Sequence, residues 1–228
     1  MFTLKPPSLA IAKHVGRTAL WLGAALVLAA CSALPHKPAP IARYDFGLPT
    51  PAASNAAPLA ATSTRAPLVM AKVGTSGGAD ASTAIVYRLA YANDRELHPY
   101  TQARWGAPAA LLIQQRMRDT LSRQRAVLMD DDGATQALVP ASLPAMLRLE
   151  VDEFSQVFDS ASTSRGLVRL RATLTELTPK GEKWLGQQVF EVSEHSPTAD
   201  AAGGTTALAA ASAQAAQQVD AWLRQLGR

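Results

Sequence analysis

Apolar and polar positions alternate with a period of two along much of residues 84–193, and the last stretch of the chain changes to a helical period. Leu147, Leu149 and Val151 alternate with Arg148, Glu150 and Asp152. The phase then slips, because Phe154 and Phe158 fall on even numbers, and a bulge near Asp152-Glu153 accounts for the slip. Val168, Leu170, Ala172 and Leu174 oppose Arg169, Arg171, Thr173 and Thr175, with Arg165-Gly166 and Pro179-Lys180-Gly181 as turn signals. Residues 184–193 make the next strand. Such alternation predicts antiparallel strands with one solvated face. Leu208, Ala211, Ala215, Val219, Trp222 and Leu226 then fall three or four apart, which predicts one apolar stripe on a helix opened by Gly203-Gly204-Thr205.

The same reading places earlier elements. Leu68 to Val73 reads as a strand ended by Gly74-Thr75-Ser76-Gly77-Gly78. Ala84 to Ala92 reads as a second, with Ile85, Tyr87, Leu89 and Tyr91 on one face. Asn93-Asp94 is a turn signal, and Leu97 to Trp105 returns as the hairpin partner. Pro108 suits the first turn of a helix over 108–125, whose apolar side is Leu111, Leu112, Ile113, Met117 and Leu121. Ala126 to Met129 is a short strand. The expected fold class is α+β: a single antiparallel or mixed β-sheet with two main helices packed on one face.

The N-terminal third has a different texture. Lys5, Lys13 and Arg17 precede an uncharged run from Thr18 to Ala30, the pattern of a secretory signal. Leu28-Ala29-Ala30-Cys31 resembles the bacterial lipobox, and Cys31 is the chain's only cysteine. That resemblance implies a diacylglycerol on the sulfur, cleavage between Ala30 and Cys31, and an acyl chain such as palmitate on the new amino group. One acyl chain holds a protein only marginally, whereas three on one residue hold it essentially permanently. An ordinary cleaved signal with an incidental Cys, or an uncleaved helix, is the competing reading. Ser32 implies outer-membrane sorting by resemblance to Gram-negative lipoproteins. Residues 32–67 hold seven of the 15 prolines, which makes them a stiff tether of about 3 Å per residue. One island, 43–48, alternates Tyr44, Phe46 and Leu48 with Asp45 and Gly47, and reads as a short strand pairing onto the body that follows. The expected division is a signal peptide over 1–30, lipidated Cys and tether over 31–67, and the folded domain over 68–228.

Removing the leader changes the charge. Three of the 22 Lys and Arg residues, and none of the 18 Asp and Glu residues, lie in residues 1–30. The remainder is nearly neutral, so the high isoelectric point is no footprint for nucleic acid. With Cys31 acylated, no thiol remains for a disulfide or a thiolate metal site.

Candidate chemistry is thin. Gly74-Thr75-Ser76-Gly77-Gly78 matches G-x-S-x-G, with Asp residues and His195 following in the order of a hydrolase triad. The chain then runs through Ala-Asp-Ala-Ser-Thr into a strand rather than a helix, so a Gly-rich hairpin loop is the favoured reading. Asp130-Asp131-Asp132-Gly133 lacks the alternate spacing of a calcium loop. His36, His98 and His195 are dispersed, and no phosphate-binding G-x-x-x-x-G-K-[ST] occurs. No catalytic residue, metal or cofactor is expected beyond the covalent acyl chains. Tyr87, Arg88, Tyr91, Tyr100, Arg104 and Trp105 cluster around the first hairpin. They form a docking surface, of which Tyr87, Arg88, Tyr100, Arg104 and Trp105 are the candidates, or they cap the sheet core and anchor the first helix, which is the favoured reading.

The segments IVYRLAY (85–91), LHPYTQARWGAPAALLIQQRMRDTL (97–121) and LRLEVDEFSQVF (147–158), with YDFGLP and the Ala-rich last helix, resemble the ABC-type transport auxiliary lipoprotein family. The resemblance spans residues 44–224, with a departure at Ala79 to Thr83. It implies a fold similar to the N-terminal domain of the Tol-Pal translocation protein and no catalytic residues. It also implies a periplasm-facing lipoprotein that accompanies an ABC system carrying a mammalian-cell-entry (MCE) domain protein and moves lipids or other hydrophobic compounds across the envelope. A homo-oligomer is compatible with this reading. The rivals are a structural envelope lipoprotein binding peptidoglycan or an assembly complex, and a serine hydrolase using Ser76.

Overall fold

A computed structural model describes residues 40–48, 65–76, 81–130, 144–178 and 180–228. Its compact unit runs from Ile41 to Arg228. In chain order the elements are β1 (Ala42–Tyr44), β2 (Leu68–Met70), β3 (Gly74–Thr75), β4 (Ala84–Leu89), β5 (Asn93–Trp105), α1 (Ala109–Leu121), β6 (Val127–Met129), β7 (Ala145–Phe158), β8 (Ser164–Thr178), β9 (Gly181–His195) and α2 (Ala201–Gln225). All the strands join one mixed sheet.

β7 is its spine. Along one edge β7 pairs antiparallel with β8, which pairs antiparallel with β9. Along the other edge three short strands follow in series, all parallel to β7: β2 at Ala145 to Leu147, β3 at Glu150 and Val151, and β4 at Gln156 to Phe158. β6 lies outside β2, and β5 then β1 lie outside β4. The expected bulge is present: the β7–β8 register shifts between Val151 and Glu153. The shift moves Phe154 onto the face that Leu147, Leu149 and Val151 occupy, so both segments of β7 feed the core.

The helices lie on one face. α2 packs across β7, β8 and β9, and α1 packs on α2. Leu112, Ile113, Met117 and Leu121 of α1 join Leu208, Ala211, Ala215 and Val219 of α2 in one buried cluster with the inner sheet positions. Burying a large apolar side chain contributes about 1.5–3 kcal/mol. Leu111, placed on the apolar side of α1 by its spacing, is 40% exposed, and Leu226 is 38% exposed beyond the end of α2. The stripe on α2 is wider than its leucines indicate. Ala207, Ser212, Ala216 and Leu223 are buried too, because α2 is covered by α1 as well as by the sheet.

Several glycine and turn signals mean something else in three dimensions. α2 begins at Ala201, not at Gly203. Asp200 is its N-cap and accepts the Gly203 N–H at 2.8 Å. Gly203 and Gly204 lie in the first turn because a Cβ there would collide with Thr198 and with the Gln156 amide. Gly166 is inside β8 rather than in a turn, and a Cβ on it would sit 2.6 Å from the Leu208 nitrogen. The first hairpin turns at residues 90–92, where the Ala92 N–H bonds the Leu89 carbonyl, so Asn93 and Asp94 already belong to β5. The strand expected over Leu68 to Val73 breaks after Met70. Val73 is buried, and its N–H is taken by the Gln114 side chain of α1 at 3.0 Å.

Candidate functional site

The five candidate docking residues do not form one patch. Trp105 is fully buried, which removes it from any surface. Its ring lies 5.7 Å from Phe46 and 5.6 Å from Phe154. Tyr87 stands between His98, Tyr100 and Phe158, with centroids 5.2, 4.7 and 5.6 Å away. The Tyr100 hydroxyl donates to Gln156 Oε1 at 2.8 Å, and Gln156 Nε2 donates to Ser164 Oγ at 2.7 Å. Burial first, then Tyr87 and Asp200, raises the Tyr100 phenol above its ordinary value, which keeps it a hydrogen-bond donor. The amide that receives this bond is the one Gly204 makes room for. Tyr87 and Tyr100 therefore tie the hairpin to β7, β8 and the first turn of α2.

Arg88 follows Tyr87 in β4 and points to the opposite face. There it forms a two-pronged pair with Glu153, at 3.1 and 2.9 Å, and donates to the Asp94 carbonyl at 3.2 Å. It borders a shallow groove of about 850 Å³ whose lining includes Val86, Leu97, Val151, Glu153 and Phe154. Arg104 donates to the backbone carbonyls of Tyr100 and Ala103. It is committed to its own strand.

Ser76 and His195 are not brought together. Ser76 N–H and Oγ both donate to the Val151 carbonyl, at 3.0 and 3.2 Å, and Oγ also donates to Asp152. His195 pairs with Arg165, and Arg165 with Val157. The two residues thus lie about six strand positions apart, roughly 20 Å along β7, with β7 and β8 between them across the sheet. His98 stacks on Tyr87 and lies 3.7 Å from Glu96. Among the described residues no group of three His, Cys, Asp or Glu side chains could hold a metal ion. No described helix is long and apolar enough to cross a membrane. Leu28, Ala29, Ala30, Cys31, His36, Gly77, Gly78 and Asp131 to Gly133 lie outside the described residues.

The structure assembles a different feature around β1. Ala42, Arg43 and Tyr44 pair parallel with Ala103, Arg104 and Trp105, and the Gly106 N–H donates to the Tyr44 carbonyl at 2.7 Å. The backbone then turns: the Gly47 N–H bonds Asp45 Oδ1 at 2.8 Å, and Gly47 takes φ +74°, which glycine adopts at no steric cost. Phe46 is thereby aimed at Trp105 and Phe154. Arg116 of α1 donates to the Phe46 carbonyl at 3.0 Å while its guanidinium carbon lies 5.7 Å from the ring centroid, within cation–π range. Crevices of about 560 and 620 Å³ flank the segment on its α1 and α2 sides. The alternation of residues 43–48 gave away the strand. Arg116 carried no signal, because a basic residue on an amphipathic helix reads as part of its solvated side.

A second unforeseen cluster lies at the end of α2. Arg125 is fully buried; its Nη2 meets Asp220 Oδ1 at 3.4 Å and the Arg228 carbonyl at 3.0 Å. Arg65 also binds Asp220, at 3.1 Å. Burial lowers the Arg125 guanidinium below its ordinary value, opposed by Asp220. These contacts fasten the chain before β2 and the end of α1 to α2.

Comparison with known proteins now bears on this geometry. A family model described as ABC-type transport auxiliary lipoprotein component matches residues 46–220. The chain belongs to that family. The match begins at Phe46, the residue lodged beside Trp105 and Phe154. The fold is similar to the crystal structure of protein XCC0632 from Xanthomonas campestris, at 21% identity and a TM-score of 0.58, covering 82% of this chain and 94% of that one. It is also similar to the crystal structure of an uncharacterized protein, at 12% identity and a TM-score of 0.55, covering 81% and 99%. At these identities the likeness speaks for the fold alone. No curated protein matches the chain. The family description makes the auxiliary lipoprotein domain an envelope-associated component of ABC-type transport.

Proposed function

We propose that this auxiliary lipoprotein is a non-enzymatic accessory of an ABC/MCE transport system, anchored through Cys31 to the outer membrane and facing the periplasm. The observation that carries the reading is one chain with two parts: a lipobox at Leu28-Ala29-Ala30-Cys31 and a family domain over residues 46–220. The work of such a protein is positional. Acyl chains on Cys31 fix one end to a leaflet, and the folded body meets the MCE-domain partner. ATP hydrolysis belongs to a separate subunit, and the cargo is a lipid or another hydrophobic compound. The separation of Ser76 from His195 supports a role without catalysis.

Two measurements test this. A mass spectrum of the mature N-terminus, or labelling with radioactive palmitate, is expected to show acylated Cys31 in outer-membrane fractions; an unmodified residue 31 overturns the anchor. Affinity purification from gently solubilised envelopes is expected to recover an MCE-domain protein, a permease and an ATPase. Labelling of Ser76 by a fluorophosphonate overturns the non-enzymatic reading.

A further inference from the structure

The segment around β1 bears on how far the body stands from its membrane. We propose that Ala42–Gly47 is a clamp that ends the leash early, so that the chain between Cys31 and Ala42 alone sets the distance between leaflet and body. This rests on the anchoring reading above. The holds on the segment are of different kinds and come from different elements. β5 supplies a parallel ladder over Ala42 to Tyr44, and the Gly106 N–H extends it. Trp105 and Phe154 receive the Phe46 ring. Arg116 grips both the ring and the carbonyl of Phe46. Ile41 and Leu48, just outside the segment, are 54% and 94% exposed.

Chain arithmetic gives the consequence. From Cys31 to Ala42 is about eleven residue steps, which span at most roughly 38 Å at about 3.5 Å each. From Cys31 to Leu68, where β2 begins, is about 37 steps, or roughly 130 Å. A tether running all the way to β2 would let the body range more than three times as far. With the clamp in place, the reach of the body is fixed before β1, and chain length added between β1 and β2 does not change it.

That difference can be measured with the full-length lipidated chain on supported bilayers. Ten extra residues, as five Pro-Ala repeats, are inserted in one variant after Pro38 and in another after Ala53. Body height is read by neutron reflectometry. The expected result is an outward shift of up to about 30 Å for the first insertion and none for the second. Equal shifts in the two variants would show that the tether runs free to β2 and would overturn the clamp. A third chain, Phe46→Ala, is expected to move the body outward and to expose the Arg43–Tyr44 bond to trypsin, while the thermal unfolding of the body stays cooperative. Unchanged height and unchanged trypsin resistance would count against the proposal. Failure of the unmutated chain to bind the bilayer is a separate outcome: it overturns the anchor, and the stand-off role with it.

Discussion

The two edges of β7 are built on different principles. On one, β8 pairs along β7 from Met146 to Phe158 with the single shift at the bulge, and β9 continues the same ribbon through a tight turn between Thr178 and Gly181. On the other, β2, β3 and β4 are laid end to end in parallel, and each must travel far along the chain before meeting β7. The ribbon needs only short turns; parallel pairs need long crossovers. Burial follows the same division. β8 alternates between buried and more exposed positions, whereas Leu68, Val69 and Met70 of β2 are all buried, as a strand between two parallel neighbours must be. The ribbon is a local structure that the helices then cover. The other edge exists only because the core holds it.

Trp105 gives the sharpest way to break that contrast. It ends β5, on the patched side, and is fully buried against Phe46 and Phe154. Trp105→Ala is expected to destabilise the body by about 3–5 kcal/mol, read from urea unfolding, and to release β1 with it. A loss below about 1 kcal/mol would mean that the patched edge is an appendage rather than part of the core.

Gly166→Ala tests the ribbon side. A Cβ there would sit 2.6 Å from the Leu208 nitrogen and 2.7 Å from the Ala207 carbonyl carbon, both helix backbone that cannot give way locally. About 1–3 kcal/mol of destabilisation is expected, the usual cost of overpacking. Gly74→Ala, where a Cβ meets nothing within 4 Å, is the control and is expected to be near neutral.

The contrast between edges also explains what could be read from the chain. Alternation through Leu147–Val151 and Val168–Leu174 exposed the ribbon, and the odd-to-even slip at Phe154 exposed its bulge, because a period of two and its breaks are local signals. The parallel registry of β2, β3 and β4 left no such trace, since it depends on packing between residues 75 or more positions apart in some pairs. Gly166, Gly203 and Gly204 looked like turns and an opening because a glycine that admits a neighbouring backbone has the same letter as one that bends. For the candidate surface, the aromatic cluster was visible, but its division between two faces was not. The step from Tyr87 to Arg88 sends one side chain under the helices and the other to the open face. The clamp was half legible: its strand showed in Tyr44 and Phe46, while its partners Arg116, Trp105 and Phe154 come from three other elements.

Asp200 offers a smaller test, at the point where the ribbon hands over to α2. Its carboxylate accepts from the Gly203 N–H and from the Thr198 hydroxyl, and these bonds, the first the larger, hold it below the usual carboxylate value. A depressed folded value means that the stabilisation is present above the unfolded value near 3.9 and is lost as pH falls through the lower, folded one. Asp200→Ala is expected to cost about 1 kcal/mol at neutral pH. It should also flatten the acid limb of stability measured by urea unfolding below about pH 4. Asp200→Asn, which keeps an acceptor without the charge, is expected to recover much of the loss at neutral pH and to flatten the acid limb equally.

The smallest effect is expected on the uncovered face of the ribbon. Arg169 there meets Glu191 at 3.2 Å and Asp152 at 4.0 Å, and Arg171 meets Glu150 at 3.5 Å and Asp152 at 3.1 Å. The pairs are numerous, but Arg169 and Glu191 are about half exposed, so water and salt screen them. A double-mutant cycle on Arg169 and Glu191 is expected to give a coupling of about 0.2–1 kcal/mol that fades in molar salt. A larger, salt-resistant coupling would mean that this face is shielded from water in solution. The two sides of the sheet would then differ less than their sequences say, because something other than α1 and α2 would be covering the ribbon.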